Sequence, residues 1–401
     1  MPGDGRDERR CEKRVRTAGV TGRTITFYAE AVEAKHFVER LANNQLHRVF
    51  LKEFETEKGE RIVNLKLAYR VWGKPNAERD NILLIFHALT GDANCAGYTG
   101  PDGRVAGWWE ALFGRHAAID LAQWCVICAN HPGSCYGSSG PTDREVGATR
   151  PIGRDFPEFS PRDLACAHKQ LLDLLEIPSV HAVLGGSLGG MAALEWAVLF
   201  PGAAKRAVVL AAPAASSAQA IAFNHIQAKC FEIDPAFKNG DYYGGPRPML
   251  ALSLARQIAT ITYRSPGEFH SRFGRDTAFS PQPDAQAYLI QRYLDYQGEK
   301  LVRRFDPNSY LKLLATLDRH DLARGRGSLA EVLKAIRAQM CLISIDSDIL
   351  YTGEEVESLY RAMAEAGVAA QYKQIASLHG HDGFLIESDQ LNPLVGKFLE
   401  T

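Results

Sequence analysis

At 401 residues the chain exceeds one ordinary domain, and 46% apolar with 23% charged side chains is the composition of a globular protein with a sizeable core. A formal charge of −1 and a pI near 6.9 provide no long-range field for nucleic acid or an anionic membrane, and no stretch reaches the roughly 20 apolar residues that span a bilayer. Eight cysteines scattered over this length are too few for a disulfide framework and read as reduced core residues.

Residues 1–25 are Arg-rich, but Asp4, Asp7, Glu8 and Glu12 interrupt the run and no apolar stretch follows that would make a signal peptide. They are expected to form a disordered tail, or to follow from a misassigned start, and the protein is expected to stay in the cytoplasm. Continuous apolar runs then recur at 82–86, 125–129, 180–185, 207–212, 341–345 and 370–375, the pattern of strands buried on both faces. Cys125 and Cys128 fall inside the second run. No further Cys or His pair stands at ligand spacing around them, so a structural strand is preferred to a metal site and none is expected.

Amphipathic stretches separate the runs. One covers 161–177 and begins after Ser160 and Pro161, as a helix start does. Strand alternating with helix predicts a mainly parallel sheet. The rhythm stops after Ala212, and residues 214–329 show helical periodicity interrupted by Pro and Gly. An α/β core over 26–213 and 330–401, with a helical cap or lid domain inserted over 214–329, is the expected organisation.

Gly185-Gly186-Ser187-Leu188-Gly189 lies between an apolar run and a helical segment. That is the G-x-S-x-G pattern of a nucleophile presented on a tight strand-to-helix turn, whose neighbours two residues away must be small. The string alone is common; its position between strand and helix points to the α/β-hydrolase fold. A serine hydroxyl needs a base, and the base an orienting acid, which in this fold follow later in the chain as Asp and then His.

Two loops fall in the required places, and each offers a choice. After 341–345 come Asp346 and Asp348; Asp348 is preferred because it stands further into the loop, where its carboxylate can reach a histidine. After 370–375 come His379 and His381; His381 is preferred because Gly380 flanks it and a helical segment follows. The oxyanion needs two N–H donors, and Leu188 and Leu89 are the candidates. His87, before Leu89, reads as packing or loop support.

With these residues in view the chain resembles the homoserine O-acetyltransferase family over about residues 45–401. The resemblance rests on His87-Ala88-Leu89-Thr90-Gly91-Asp92, Gly107-Trp108-Trp109, Cys135 to Pro141, Gly185 to Met191, and Gly380 to Leu385. It implies that Ser187 is acylated by acetyl-CoA, with His381 as base and Asp348 as its partner, and that L-homoserine then takes the acyl group in a step of methionine biosynthesis. It further implies Arg256 as the clamp on the acceptor's carboxylate and Asp382 as the partner of its amino group. Coenzyme A is expected as a co-substrate, with no permanently bound cofactor, and relatives suggest a homodimer.

Members that use succinyl-CoA resemble one another in an arginine near the position of Leu350, so an apolar Leu350 leans towards acetyl. Serine as acceptor, succinyl as donor, and hydrolysis of an ester by the same triad are the alternatives. Leu188 stands where many members have methionine.

Overall fold

The computed structural model describes residues 23–29, 44–100, 103–277 and 287–400. Apart from Arg23 to Ile25, the expected tail therefore lies outside the described residues. Its boundary needs correction: Thr24–Thr26 form strand β1, parallel to Arg61–Val63, and Ile25 is fully buried. An apolar residue that inserts into the core ties this short piece to the sheet.

The remaining strands are β2 (His47–Glu55), β3 (Arg61–Trp72), β4 (Ile82–Phe86), β5 (Tyr98–Gly100), β6 (Gly103–Val105), β7 (Cys125–Ala129), β8 (Val180–Gly186), β9 (Ala204–Leu210), β10 (Gln339–Ile345) and β11 (Ala370–Ile375). β5 and β6 make a small antiparallel ribbon, and the others form one sheet. Its order is β3-β7-β4-β8-β9-β10-β11, with β1 sharing one edge of β3 and β2 antiparallel on the other. From β7 to β11 every pairing is parallel; β3 meets β7 antiparallel.

Continuous apolarity in these strands has a direct cause. In β4, Ile82, Leu84 and Phe86 enter one core cluster while Leu83 and Ile85 enter another on the opposite face, so each residue is buried whichever way it points. On the first face lie α1 (Pro161–Leu174) and α2 (Leu188–Leu199). Helix α1 opens on a capping box: the Ser160 side chain accepts from the N–H of Asp163, and Asp163 accepts in return from that of Ser160. Helix α2 is buried all round, with Trp196 fully enclosed, and Trp196→Ala should cost about 3–5 kcal/mol.

One edge of β3 is free between the stretches paired with β1 and β7, and the loop with Ser138 and Ser139 closes it. Ser138 Oγ accepts from the N–H of Ala68 at 2.9 Å, Ser139 Oγ accepts from that of Lys66 at 3.0 Å, and the Ser139 N–H donates to Lys66 O at 2.8 Å. Hydroxyls here satisfy backbone groups that a strand would otherwise pair.

Between β9 and β10 the described chain forms α3 (Ala218–Glu232), α4 (Met249–Tyr263), α5 (Pro266–Phe273), α6 (Leu289–Val302) and α7 (Pro307–Asp318). After α8 (Leu329–Leu333) and β10 come α9 (Gly353–Glu365), β11, and the closing helices α10 (Gly383–Ile386) and α11 (Ser388–Glu400). Among the described residues no helix is long and apolar enough to cross a membrane, and no group of His, Cys, Asp and Glu could hold a metal ion. Cys125 and Cys128 are fully buried in β7.

Candidate active site

Ser187 sits at the carboxyl end of β8, on the turn into α2, with φ 56° and ψ −125°. Non-glycine residues avoid this region at a cost of about 1–3 kcal/mol, and the surroundings must impose it. The turn is held by the Ser187 N–H, which donates to Leu210 O at 2.9 Å. Glycines on both sides are required by contact. A Cβ on Gly185 would stand 2.3 Å from the carbonyl of Gly189, one on Gly189 2.2 Å from Phe86 O, and one on Gly186 2.4 Å from the Phe384 ring.

His381 lies in a short 3-10 turn after β11, and Asp348 in the loop after β10. His381 Nδ1 is 2.7 Å from Asp348 Oδ2, and both side chains are buried. Asp348 Oδ1 accepts from the N–H groups of Leu350 and Tyr351 at 2.8 and 3.1 Å, which fixes the carboxylate. Burial alone would lower the His381 pKa; the charge and hydrogen bond of Asp348, with help from Asp382, outweigh it and raise the pKa above its ordinary value. His381 Nε2 is buried and has no hydrogen-bond partner among the described residues.

The other member of each pair is used elsewhere. Asp346 Oδ1 accepts from the Ser377 N–H at 2.9 Å and so ties the ends of β10 and β11 together. His379 Nδ1 lies 3.3 Å from Glu268 Oε2, outside the cavity that His381 lines.

That cavity encloses about 190 Å³, and Ser187, His381, Leu89, Arg256 and Asp382 all line it. Leu188 begins α2, so its N–H has no intrahelical acceptor. The Leu89 loop is braced from below: His87 Nε2 accepts from the His131 N–H at 3.0 Å while His87 Nδ1 donates to Ala88 O at 2.7 Å. Burial pushes the His87 pKa down to about 3, so the ring is neutral and supports the loop.

Arg256, on α4, makes no ion pair among the described residues and stacks over the Tyr263 ring at 5.3 Å. Asp382 is less free. Its Oδ2 is 3.0 Å from Arg264 Nη2, leaving Oδ1 without a partner among the described residues. Arg264 also pairs with the buried Glu268 at 3.1 Å, and Glu268 pairs with Arg272 at 2.7 Å. Ser265 Oγ donates to Leu378 O, and Gly380, at φ +59°, packs so closely that a Cβ would stand 2.8 Å from the backbone of Arg264. The α4–α5 corner therefore grips the loop that carries His381.

Sequence reasoning gave no role to several residues that line or brace the site. Tyr263, Trp108, Phe384 and Arg304 line the cavity. Arg304 donates to Thr90 O at 2.8 Å and to Tyr136 Oη at 2.5 Å, joining the segment after α6 to the Leu89 loop. Trp109 Nε1 donates to Phe384 O at 2.8 Å. The tryptophan pair was visible as a motif, whereas nothing local in the sequence singled out Glu268 or Arg304.

Comparison with known proteins adds four findings. The sequence model of the alpha/beta hydrolase fold family matches residues 81–354. A homoserine O-acetyltransferase of Carboxydothermus hydrogenoformans is 40% identical over 357 residues, covering 88% of this chain and 94% of its own. A crystal structure of homoserine O-acetyltransferase from Bacillus anthracis superposes with a TM-score of 0.84 at 24% identity, covering 89% and 98% of the two chains. A crystal structure of an esterase superposes nearly as well, at 0.81 with 23% identity over 88% and 99%, so the shape by itself does not separate transfer from hydrolysis.

Proposed function

The chain belongs to the homoserine O-acetyltransferase family of the α/β-hydrolase fold, and from that premise we propose that it moves an acetyl group from acetyl-CoA to the hydroxyl of L-homoserine through an acyl-Ser187 intermediate. The observation that carries this reading is one cavity lined by Ser187, by His381 with Asp348 hydrogen-bonded to it, by an Arg256 cation with no ion pair among the described residues, and by the carboxylate of Asp382, whose Oδ1 is unpaired among them.

In the first half-reaction His381 Nε2 takes the proton of Ser187 Oγ, which attacks the thioester carbonyl. The N–H groups of Leu89 and Leu188 receive the oxyanion. Collapse breaks the carbon–sulfur bond, and His381 returns the proton to the departing thiol. In the second half, His381 takes the proton of the homoserine hydroxyl, the oxygen attacks the acyl-enzyme, and Ser187 Oγ leaves with that proton.

Arg256 holds the acceptor's carboxylate through two parallel charge-assisted bonds, and Asp382 Oδ1 takes its ammonium. The acceptor hydroxyl is thereby held at the acyl carbon, where proximity favours it over water. Leu350, apolar and 6% exposed beside Asp348, supports acetyl over a donor with a second carboxylate. Coenzyme A enters as a co-substrate, and no resident cofactor is invoked. The product would feed methionine biosynthesis in the cytoplasm. Exposed apolar side chains on α3 and α4, among them Ile226, Met249 and Leu250, support a homodimer, which sedimentation would test.

The deciding assay follows thiol release from acetyl-CoA and succinyl-CoA with homoserine, with serine and with no acceptor. Release that requires acetyl-CoA and homoserine together, and vanishes in Ser187→Ala, is expected. Release without an acceptor would make the protein a hydrolase.

A further inference from the structure

Beside the catalytic cavity lies a second cleft, of about 430 Å³, and Arg304 lines both. Its size lies in the range of small-molecule sites. Three guanidinium groups, Arg247, Arg303 and Arg304, contribute to its walls. The carboxylate among its described lining residues, Asp306, is already engaged: its oxygens accept from Tyr242 Oη at 2.6 Å, from Tyr243 Oη at 3.2 and 3.3 Å, and from the Ser309 N–H at 2.9 Å.

The arginines are committed only in part. Arg247 donates to Phe305 O at 2.7 Å, and Arg304 to Thr90 O and Tyr136 Oη. Arg303 faces Glu299 at 3.4 Å, with both side chains mostly in solvent. A guanidinium carries five N–H donors, so each retains several for a ligand. Lys238 adds a further charge nearby, its Nζ 3.6 Å from where a Cβ on Gly245 would stand. Gly244 and Gly245 also line the cleft, and around Gly244 no atom lies within 4 Å of the Cβ position, so a bulky ligand can approach the backbone.

A cleft with this excess of guanidinium groups suits a compact polyanion bearing phosphates. We propose that it binds the pyrophosphate and ribose phosphate of the acyl donor, so that the uncharged arm passes Arg304 and delivers its thioester to Ser187. This rests on the acyl-CoA reading above. It adds that recognition of the donor's phosphates is separate from the catalytic cavity, and that Arg304, through Thr90, joins that recognition to the Leu89 loop.

The test compares kcat/KM for acetyl-CoA with that for S-acetylpantetheine, which has the same reactive end and no phosphate, in the unsubstituted enzyme, in Arg303→Glu and in Arg247→Ala/Arg303→Ala. The ratio of the two values should favour acetyl-CoA by tenfold or more, fall about tenfold in both variants, and lose much of its salt dependence. A ratio that the substitutions do not move overturns the proposal; a general folding defect would depress both donors together, and the exposure of Arg303 guards against one. Binding of adenosine 3′,5′-bisphosphate, followed by calorimetry, is independent of turnover. Binding weakened by Arg303→Glu supports the cleft even if neither thioester is turned over, a result that would sink the transferase reading alone; no binding to the unsubstituted protein sinks the cleft.

Discussion

The Ser187 turn and the His381 loop meet in one cavity but are held by different forces. Around Ser187 the restraint is steric: glycines at 185, 186 and 189 stand so close to carbonyls and to the Phe384 ring that no Cβ fits. Around His381 much of it is ionic, running from Asp382 through Arg264 and Glu268 to Arg272 on α5. Close packing responds little to salt or pH, whereas a chain of charges with Arg272 partly in solvent responds to both. Ser187 is thus set by the core, and His381 also depends on the helices between β9 and β10.

The strongest way to separate chemistry from shape is Ser187→Ala, which removes the oxygen proposed to react and leaves the turn. Turnover should fall by about 10⁴, near 5.5 kcal/mol of barrier, with an unchanged melting temperature. Next is the ionic brace. Glu268→Gln leaves Arg264 and Arg272 short of a buried counter-charge and should cost about 4 kcal/mol in urea unfolding, with an accompanying fall in kcat because Asp382 and His381 lose their support. If stability and kcat are both unmoved, the brace is not what holds the loop.

On the steric side, Gly189→Ala should cost about 2 kcal/mol, since its Cβ would meet Phe86 O, and that cost should be the same at low and high salt. A cost that varied with salt would erase the distinction between the two regions.

Acid should expose a third support. His87, His131 and His168 are buried, and burial lowers all three pKa values, to about 3 for His87 and about 4 for His168, with the neighbouring rings adding to the effect on His131. Below about pH 6.5 the unfolded chain binds protons that the folded chain refuses, so stability falls with pH, by up to about 1.4 kcal/mol per pH unit for each histidine. Unfolding measured between pH 7 and 5 checks this.

The smallest effect concerns the base. As the proposed base His381 must be neutral to act, and its pKa is raised, so kcat/KM should rise with pH along a limb centred above the ordinary histidine value of about 6.5. Asp382→Asn removes the weakest of the charges that raise it and should move the midpoint down. A midpoint that stays in place would mean that the limb belongs to another group.

Legibility in the sequence followed the range of the interactions. The runs at 82–86 and 125–129 coincide with β4 and β7, because burial on both faces leaves an unmistakable apolar stretch; 370–375 coincides with β11, but the expected burial on both faces is corrected there, since this edge strand buries Ile375 and leaves Lys373 and Gln374 exposed. The strands β1, β2 and β3 escaped notice. β2 alternates exposed and buried residues and β3 begins the same way, a weaker signal, and β1 is three residues long. β9 begins at Ala204, three residues before the apolar run suggested, because Lys205 and Arg206 lie where the strand leaves the core.

By itself the sequence determined the alternation of strand and helix, the tight turn at Ser187 and the two loops that could supply its partners, because glycine sterics and hydrophobic periodicity act between near neighbours in the chain. Only the tertiary structure decided which aspartate meets which histidine. Among the described residues it left Arg256 without an ion pair, and it tied Asp382 to Arg264 and brought Arg304 against Thr90. Those relations join residues far apart in sequence, and a side chain's charge does not say which distant partner the folded backbone will bring within 3 Å of it.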